Sequence, residues 1–322
     1  MNAHVTADNL KVYFQSRSGL FRSIDVKAVD DVSIEIPRGT TLALVGESGS
    51  GKTTLGRALL KLLELKAGRI LIDDLDISTL RRSAAKKFRR KAQAIFQDPY
   101  SSISPYMTVG EIIEEPLLIH GIGGRKERSD AITRAIEMVK LSPAAEIRGK
   151  FPHNLSGGQR QRVSIARAMV LDPEFVVADE PVSMVDASNR AEILLLLREL
   201  QEGRNISFLY ITHDIANARH FSDRIGVMYL GTIVEEGGSS EVIDRPLHPY
   251  TLGLIAAVPE PDPANRKKLR AVMSGELPNA ARVPPGCPFH PRCTKMIPGT
   301  CDVERPEMRD NQGDHRVACH LY

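Results

Sequence analysis

"TLALVGESGSGKTTLGRALLKLLEL", Thr41 to Leu65, is the stretch on which the fold of this chain turns. It opens with "TLALVG", an apolar run that reads as a buried strand. It closes with "TTLGRALLKLLEL", whose Leu55, Leu59, Leu62 and Leu63 recur at helical spacing and predict an amphipathic helix with those four on its inner face. Between the two, "GESGSGKT" (Gly46 to Thr53) has the spacing G-x-x-x-x-G-K-S/T, in the strand–loop–helix context that the pattern requires. Its small residues let backbone N–H groups face phosphates, and the helix N-terminus adds partial positive charge. Lys52 is expected to pair with β- and γ-phosphates, and the Thr53 hydroxyl to complete an Mg2+ shell. The candidate nucleotide-binding residues are therefore Gly46, Glu47, Ser48, Gly49, Ser50, Gly51, Lys52, Thr53 and Thr54.

Working outward, alternation in "VDDVSIEIPRG" places Val32, Ile34 and Ile36 on one face of an earlier strand that stops at Pro37 and Gly39. From about Tyr100 to Met169 the apolar periodicity is helical and β-branched runs are scarce, so a helical insertion is expected there. Strand signals return in "EFVVAD", "ISFLYIT" and "RIGVMYL", with the helical "ASNRAEILLLLRELQEG" between the first two. A parallel sheet with crossover helices is the natural assembly, an α/β class. Beyond about Pro246, "PEPDPANRKK" and "ARVPPGCPFHPRC" read as a linker and a loop-rich module. The expected domains are thus 1–245, with the helical part at about 100–169 inserted, and 246–322.

"EFVVADE" delivers Asp179 and Glu180 at the carboxyl end of a strand, where open α/β sheets bind ligands. Asp179 is expected to hold Mg2+, and Glu180 to polarise an attacking water. The stretch "NLSGGQRQRVSIARAMVLDP" (Asn154 to Pro173) follows the same physics at another helix N-terminus: Ser156, Gly157 and Gly158 can present a hydroxyl and backbone N–H groups to a phosphate.

With LSGGQ intact at Leu155 to Gln159, the chain resembles the ATP-binding cassette (ABC) family. The resemblance implies a P-loop NTPase fold, ATPase activity with ATP and Mg2+, and a head-to-tail dimer with nucleotide between the two copies. It carries over residue by residue. Ser156, Gly157, Gly158 and Gln159 match the signature, and Gln97 in "IFQDP" matches the Q-loop that contacts Mg2+ or water. Asp186 in "SMVD" matches the D-loop, with Met184 and Val185 where the family more often has Ala-Leu. His213 in "YITHD" matches the switch histidine. Upstream, "LKVYFQ" places Phe14 where the family stacks an aromatic on adenine, and a core aromatic on the first strand is the other reading of that position.

Two further stretches, "IFQDPYSSISPYMTVGEIIEEPL" and "VMYLGTIVEEGGSSEVIDRPLHPYTLGLIAAVP" followed by "GELPNAARVPPGCPFHPRC", resemble ATPase subunits of oligopeptide/dipeptide importers. What this implies is a peripheral subunit on the cytoplasmic face of the cell membrane. Its partners would be a second cassette (a related subunit or another copy), two transmembrane permeases and, indirectly, an extracytoplasmic substrate-binding protein. The rival reading is a non-transport ABC ATPase acting on nucleic acid or ribosomes, against which the segment after Gln97 and the cysteine tail both speak. The transported solute is not encoded in such a chain.

Composition fits this picture. Lys and Arg total 43 against 40 Asp and Glu, and a net charge of +3 gives no signature of a nucleic-acid partner. The basic run Arg81 to Lys91 is accordingly read as a solvated helix face. No secretory signal is expected at the N-terminus, and the runs Ile193 to Leu197 and Leu252 to Val258 fall far short of the roughly 20 residues that cross a bilayer. All four cysteines, Cys287, Cys293, Cys301 and Cys319, lie at the C-terminal end without a Cys-x-x-Cys pair. In a reducing compartment they suit a metal better than disulfides. A 4Fe-4S cluster, as in some peptide-importer relatives, a zinc site and reduced thiols are the readings left open, with His290, His315 and His320 as substitute ligands.

Overall fold

The computed structural model describes residues 3–18, 22–258, 275, 278–311 and 313–322. In chain order its elements begin β1 (Ala3–Ser18), β2 (Arg22–Pro37), β3 (Thr41–Val45), α1 (Lys52–Leu59), β4 (Ala67–Ile72) and β5 (Leu75–Asp76). They continue with α2 (Arg82–Lys91), β6 (Ala92–Ile95), α3 (Pro99–Ser102), α4 (Val109–His120), α5 (Arg125–Met138), α6 (Ala144–Arg148), α7 (Gly157–Met169), β7 (Phe175–Asp179), α8 (Ala187–Arg204) and β8 (Ser207–Thr212). The last part holds α9 (Ile215–Phe221), β9 (Arg224–Tyr229), β10 (Thr232–Gly238), α10 (Ser239–Asp244), α11 (Pro249–Ala257), β11 (Arg309–Asp310) and β12 (Arg316–Val317). Two compact units result, one from the ranges 1–37, 41–78 and 210–322, the other from 38–40 and 79–209. The expected linker at 259–268 lies outside the described residues, as do Glu276 and Leu277 of "GELP".

In the first unit β1 pairs antiparallel with β2 and β4. Asn9 takes φ +48°, and the register shifts there, so burial passes from Val5 and Ala7 to Leu10 and Val12 across a change of parity. An extra residue in one strand resets which side chains face inward, and all four stay buried. Across from them Val32, Ile34 and Ile36 are buried, as their alternation requires. β3 lies parallel to β9, and β9 returns as β10 through a two-residue turn at Leu230 and Gly231, both with positive φ. That turn matches the right-handed strand twist. The antiparallel strands of this unit are an addition to the expected parallel assembly.

Helix α1 is shorter than its leucines suggest. It closes with Lys61 at φ +52°, where the Lys61 N–H donates to Ala58 O and the Leu62 N–H to Arg57 O, a left-handed C-terminal cap. The Lys61 ammonium adds a bond to Ser78 O at 2.8 Å. Leu62 therefore lies past the helix and is exposed, Leu63 is only partly covered, and the inner face is Leu55, Ala58, Leu59 and Leu60 instead.

The second unit holds the parallel pair β6 and β7, and the stretch from 99 to 169 consists of helices α3 to α7 joined by loops, in line with its helical periodicity. Helix α4 starts at a capping box, Thr108 with Glu111, and packs with α5 and α7 through Ile112, Ile113, Ile132, Ile136 and Val163. The basic run forms α2, with Ala85 and Phe88 buried and Lys86, Lys87, Arg89, Arg90 and Lys91 exposed.

The cysteine-bearing tail is stitched into the first unit. β12 pairs with β10 at Glu235 and Glu236, and the fully buried Glu235 accepts the N–H groups of Leu247 and His248 at 2.8 and 2.9 Å. His315 Nε2 lies 2.8 Å from the same carboxylate. His248 caps α11 through Nδ1, and burial pushes its pKa down to about 3. The unfolded chain takes up a proton near pH 6.5, whereas the folded imidazole stays neutral until about pH 3. This group's stabilisation is thus complete above pH 6.5 and is lost as the pH falls through that window. Urea unfolding from pH 6.5 downward should show a slope of up to about 1.4 kcal/mol per pH unit that His248→Gln lacks. Equal slopes in the two proteins would contradict the assignment.

Candidate functional site

The glycine loop joins β3 to α1 and closes around one cation. Lys52 is 5% exposed, and its ammonium donates to Gly46 O and Glu47 O, each at 2.8 Å, and to Ser50 Oγ at 3.3 Å. Ser50 is itself fully buried, and its carbonyl accepts the Gly231 N–H at 2.8 Å. Two glycines are sterically compelled. A Cβ on Gly46 would stand 2.2 Å from Met228 O, and one on Gly51, at φ +108°, would stand 2.1 Å from Ala28 O. Gly51 is the N-cap of α1 and supplies no side-chain cap, and no acidic residue lies in the first turn. A helix start of that kind suits a phosphate. Ser48 and Gly49 are exposed, and Thr53 and Thr54 are half-buried.

Two further candidates share this unit. Phe14 on β1 is 43% exposed, while the neighbouring Tyr13 hydroxyl is committed to Asp30, and burial, reinforced by that bond, pushes the Tyr13 pKa up to about 12. Phe14 is thus the aromatic whose ring remains open to solvent. His213 is exposed just after β8, and the following Asp214 caps α9.

The second unit carries the remaining candidates. Asp179 ends β7, and Glu180 follows at φ +47°, its carbonyl accepting the Ser183 N–H and hydroxyl at 3.1 and 3.0 Å. A glutamate held in left-handed backbone stores strain of the kind found at functional positions. Gln97 Nε2 donates to Glu180 Oε2 at 3.0 Å, so residues 83 apart in sequence meet. Ser156 is the N-cap of α7 and forms a reciprocal capping box with Gln159. Asp186 caps α8 through Asn189, and the Asn189 side chain lies 3.3 Å from where a Gly158 Cβ would stand. Gly157 and Gly158 are therefore brought beside the Met184–Asp186 segment, in which Val185 is buried and Met184 is 57% exposed.

The cysteines are all free thiols. Cys287 and Cys301 are buried, and burial, reinforced by the other three thiols, pushes Cys287 up to about 11. Burial likewise raises Cys293 and Cys319. Among the described residues no three cysteine sulfurs lie within 4.8 Å of one another. A tetrahedral zinc site, with Zn–S of about 2.3 Å, holds its sulfurs about 3.8 Å apart. The thiols as placed thus do not form a closed zinc set. The candidate substitute ligands are engaged elsewhere: His290 Nδ1 with Cys287 O, His315 Nε2 with Glu235, and His320 Nε2 with Glu304 O.

Comparison with known proteins meets this geometry. Residues 29–183 match the family model described as ABC transporter. Over 98% of its length the chain is 45% identical to the oligopeptide transport ATP-binding protein AppF of Bacillus subtilis, covering 96% of that protein. The chain belongs to the ABC transporter family. This ABC ATPase also matches, over residues 234–301, the oligopeptide/dipeptide transporter C-terminal region. It is 41% identical over 99% of its length to the probable peptide ABC transporter ATP-binding protein y4tS of Sinorhizobium fredii, covering 90% of that protein. Among solved structures it resembles the dimeric post-hydrolysis cassette MJ0796 bound to ADP and Pi (29% identity, TM-score 0.64, 73% of this chain and 98% of that one). It also resembles cbiO1 of Clostridium perfringens, part of the ABC transporter complex cbiONQ (26% identity, TM-score 0.66, 76% of this chain and 92% of that one).

Three residues of this ABC ATPase escape motif reading: Glu235, Tyr250 and Arg292. Each is singled out by long-range contact, which no local pattern announces. The loop's backbone demand is directly testable. Gly51→Ala should cost about 2 kcal/mol or more in urea unfolding, because φ +108° and the Ala28 carbonyl both reject a Cβ. A variant as stable as the wild type would refute that constraint.

Proposed function

We propose that this ABC ATPase is the ATP-hydrolysing subunit that energises import of peptides or related small solutes through a membrane transporter. The observation that carries the reading is the tail: a cassette matched by the ABC transporter model continues into residues matched by the oligopeptide/dipeptide transporter C-terminal region. Among the described residues no helix is long and apolar enough to cross a membrane. On the strength of the tail match we assign it as a peripheral subunit working at the cytoplasmic face with two transmembrane permeases. Its second cassette is a related subunit or another copy, and a separate substrate-binding protein delivers the solute.

In this reading residues Gly46 to Thr54 hold the triphosphate, Lys52 pairs with the β- and γ-phosphates, and Phe14 stacks on adenine. Thr53, Gln97 and Asp179 would hold Mg2+, which when bound neutralises charge on the phosphates. Glu180 polarises the attacking water and His213 reads the γ-phosphate. Ser156 to Gln159 and Asp186 act on the nucleotide of the partner cassette. What supports Glu180 in this part is its constrained backbone and its bond to Gln97, which orients the carboxylate.

Glu180→Gln should lower ATP turnover by at least about 100-fold while leaving ATP binding intact and trapping an ATP-dependent dimer, seen as a shift in gel-filtration mass. Turnover within threefold of wild type would remove Glu180 from its role. Co-purification with membrane permeases separates the importer from a ribosome- or nucleic-acid-directed ATPase.

For the tail, we propose that Cys287, Cys293, Cys301 and Cys319 ligate a 4Fe-4S cluster. Four thiols of one loop-rich segment lie within mutual electrostatic reach, and no three of their sulfurs lie within 4.8 Å of one another. The raised thiol pKa values mean that a metal must displace protons to bind. Anaerobically purified protein should absorb near 400 nm, an order-of-magnitude position for iron–sulfide charge transfer, and contain about four irons per chain. Colourless protein containing zinc or no metal would overturn this.

A further inference from the structure

Glu47, inside the glycine loop, is gripped by the C-terminal extension at two points. Its backbone N–H donates to the Tyr250 hydroxyl at 2.8 Å. Its carboxylate receives both Nη atoms of Arg292, at 2.7 and 2.9 Å, a planar bidentate pair. Arg292 stands at the end of the short helical turn His290–Arg292, between Cys287 and Cys293, and is 8% exposed. Its guanidinium lies 5.9 Å from the Tyr229 ring centroid and 6.0 Å from that of Phe289. Tyr229, Tyr250 and Phe289 pack mutually, with centroids 4.7 to 5.4 Å apart. The third contact of Glu47 comes from within the loop, where its carbonyl accepts the Lys52 ammonium.

A glutamate is an awkward residue for a loop that must bind a polyanion. Unpaired, its charge would oppose the phosphates and offset Lys52. Paired with a buried guanidinium, it is compensated in charge, while its main chain stays pinned by Tyr250. We infer that Arg292 and Tyr250 are positioning residues for ATP binding: the C-terminal extension neutralises Glu47 and fixes the shape of the phosphate loop. This rests on the assignment of Gly46 to Thr54 as the ATP site. It adds to that assignment that nucleotide affinity is set partly by a segment some 240 residues away in sequence, the separation of Glu47 and Arg292 being 245.

The test is titration calorimetry of MgATP on the full chain, together with the KM and kcat of ATP hydrolysis. Arg292→Gln should raise Kd and KM about tenfold, with kcat changed less than about threefold, because it strands a partly buried carboxylate beside the phosphates. Adding Glu47→Gln to that variant should recover at least about half of the loss in both constants on a logarithmic scale, since the stranded charge is gone. A purely structural role for Arg292 predicts no such recovery. Recovery supports the inference. A double variant as weak as the single one, or an Arg292→Gln variant that binds within twofold of wild type, overturns it.

Should Arg292→Gln fail to fold, Tyr250→Phe keeps the ring and removes only the oxygen that accepts the Glu47 N–H. Its KM should rise about threefold at unchanged kcat, in line with one lost hydrogen bond, and an unchanged KM overturns the inference. Wild-type protein that bound no ATP, like a Lys52→Ala control, would overturn the site assignment itself and this inference with it.

Discussion

A buried ammonium organises the glycine loop. Lys52 donates to two carbonyls and a hydroxyl of its own loop, from residues two to six positions away along the chain. A phosphate offers such an ammonium stronger, charge-assisted bonds than these neutral acceptors do. For the loop to curl that tightly its backbone must press against Met228 O and Ala28 O, and this is what makes glycine obligatory at 46 and 51.

Around that loop the first unit is built mostly from antiparallel pairings, with the parallel pair β3 and β9 supplying the strand from which the loop springs. The tail adds little apolar core of its own; among its described residues the buried apolar side chains are few, Tyr250 and Phe289 the largest of them. It is fastened instead by polar anchors. Glu235 gathers Leu247, His248 and His315 onto one buried carboxylate, Arg305 reaches Asp30, and Arg292 reaches Glu47. Buried anchors of this kind are costly to break singly, which makes the tail an integral part of its unit.

In the second unit helix starts carry the candidate hydroxyl and carboxylate. Ser156 and Asp186 both serve as N-caps, so each side chain is already oriented by the helix it begins. The closeness of Asn189 to Gly158 shows why the second glycine of LSGGQ tolerates no bulk there without displacement. Glu180, by contrast, is held by backbone strain and by Gln97, a partner from a different strand end.

Much of this was legible in the chain alone, because the features concerned are local. Strand alternation at Val32, Ile34 and Ile36, the helical stretch ending at Met169, and the glycine loop between β3 and α1 all follow from spacing, since the periods of strand and helix act over a few residues. The leucine pattern misled at Leu62 and Leu63, where a lysine in left-handed backbone ends the helix and periodicity cannot register it. The sequence by itself determined the α/β class, the cassette motifs and the membership they signify. Only the tertiary structure decided that Glu235 clasps the tail, that Gln97 meets Glu180, and that Arg292 neutralises Glu47. The physical reason is range: a buried charge is satisfied by whichever partner the fold brings within 3 Å or so, and for Glu47 that partner lies 245 residues down the chain.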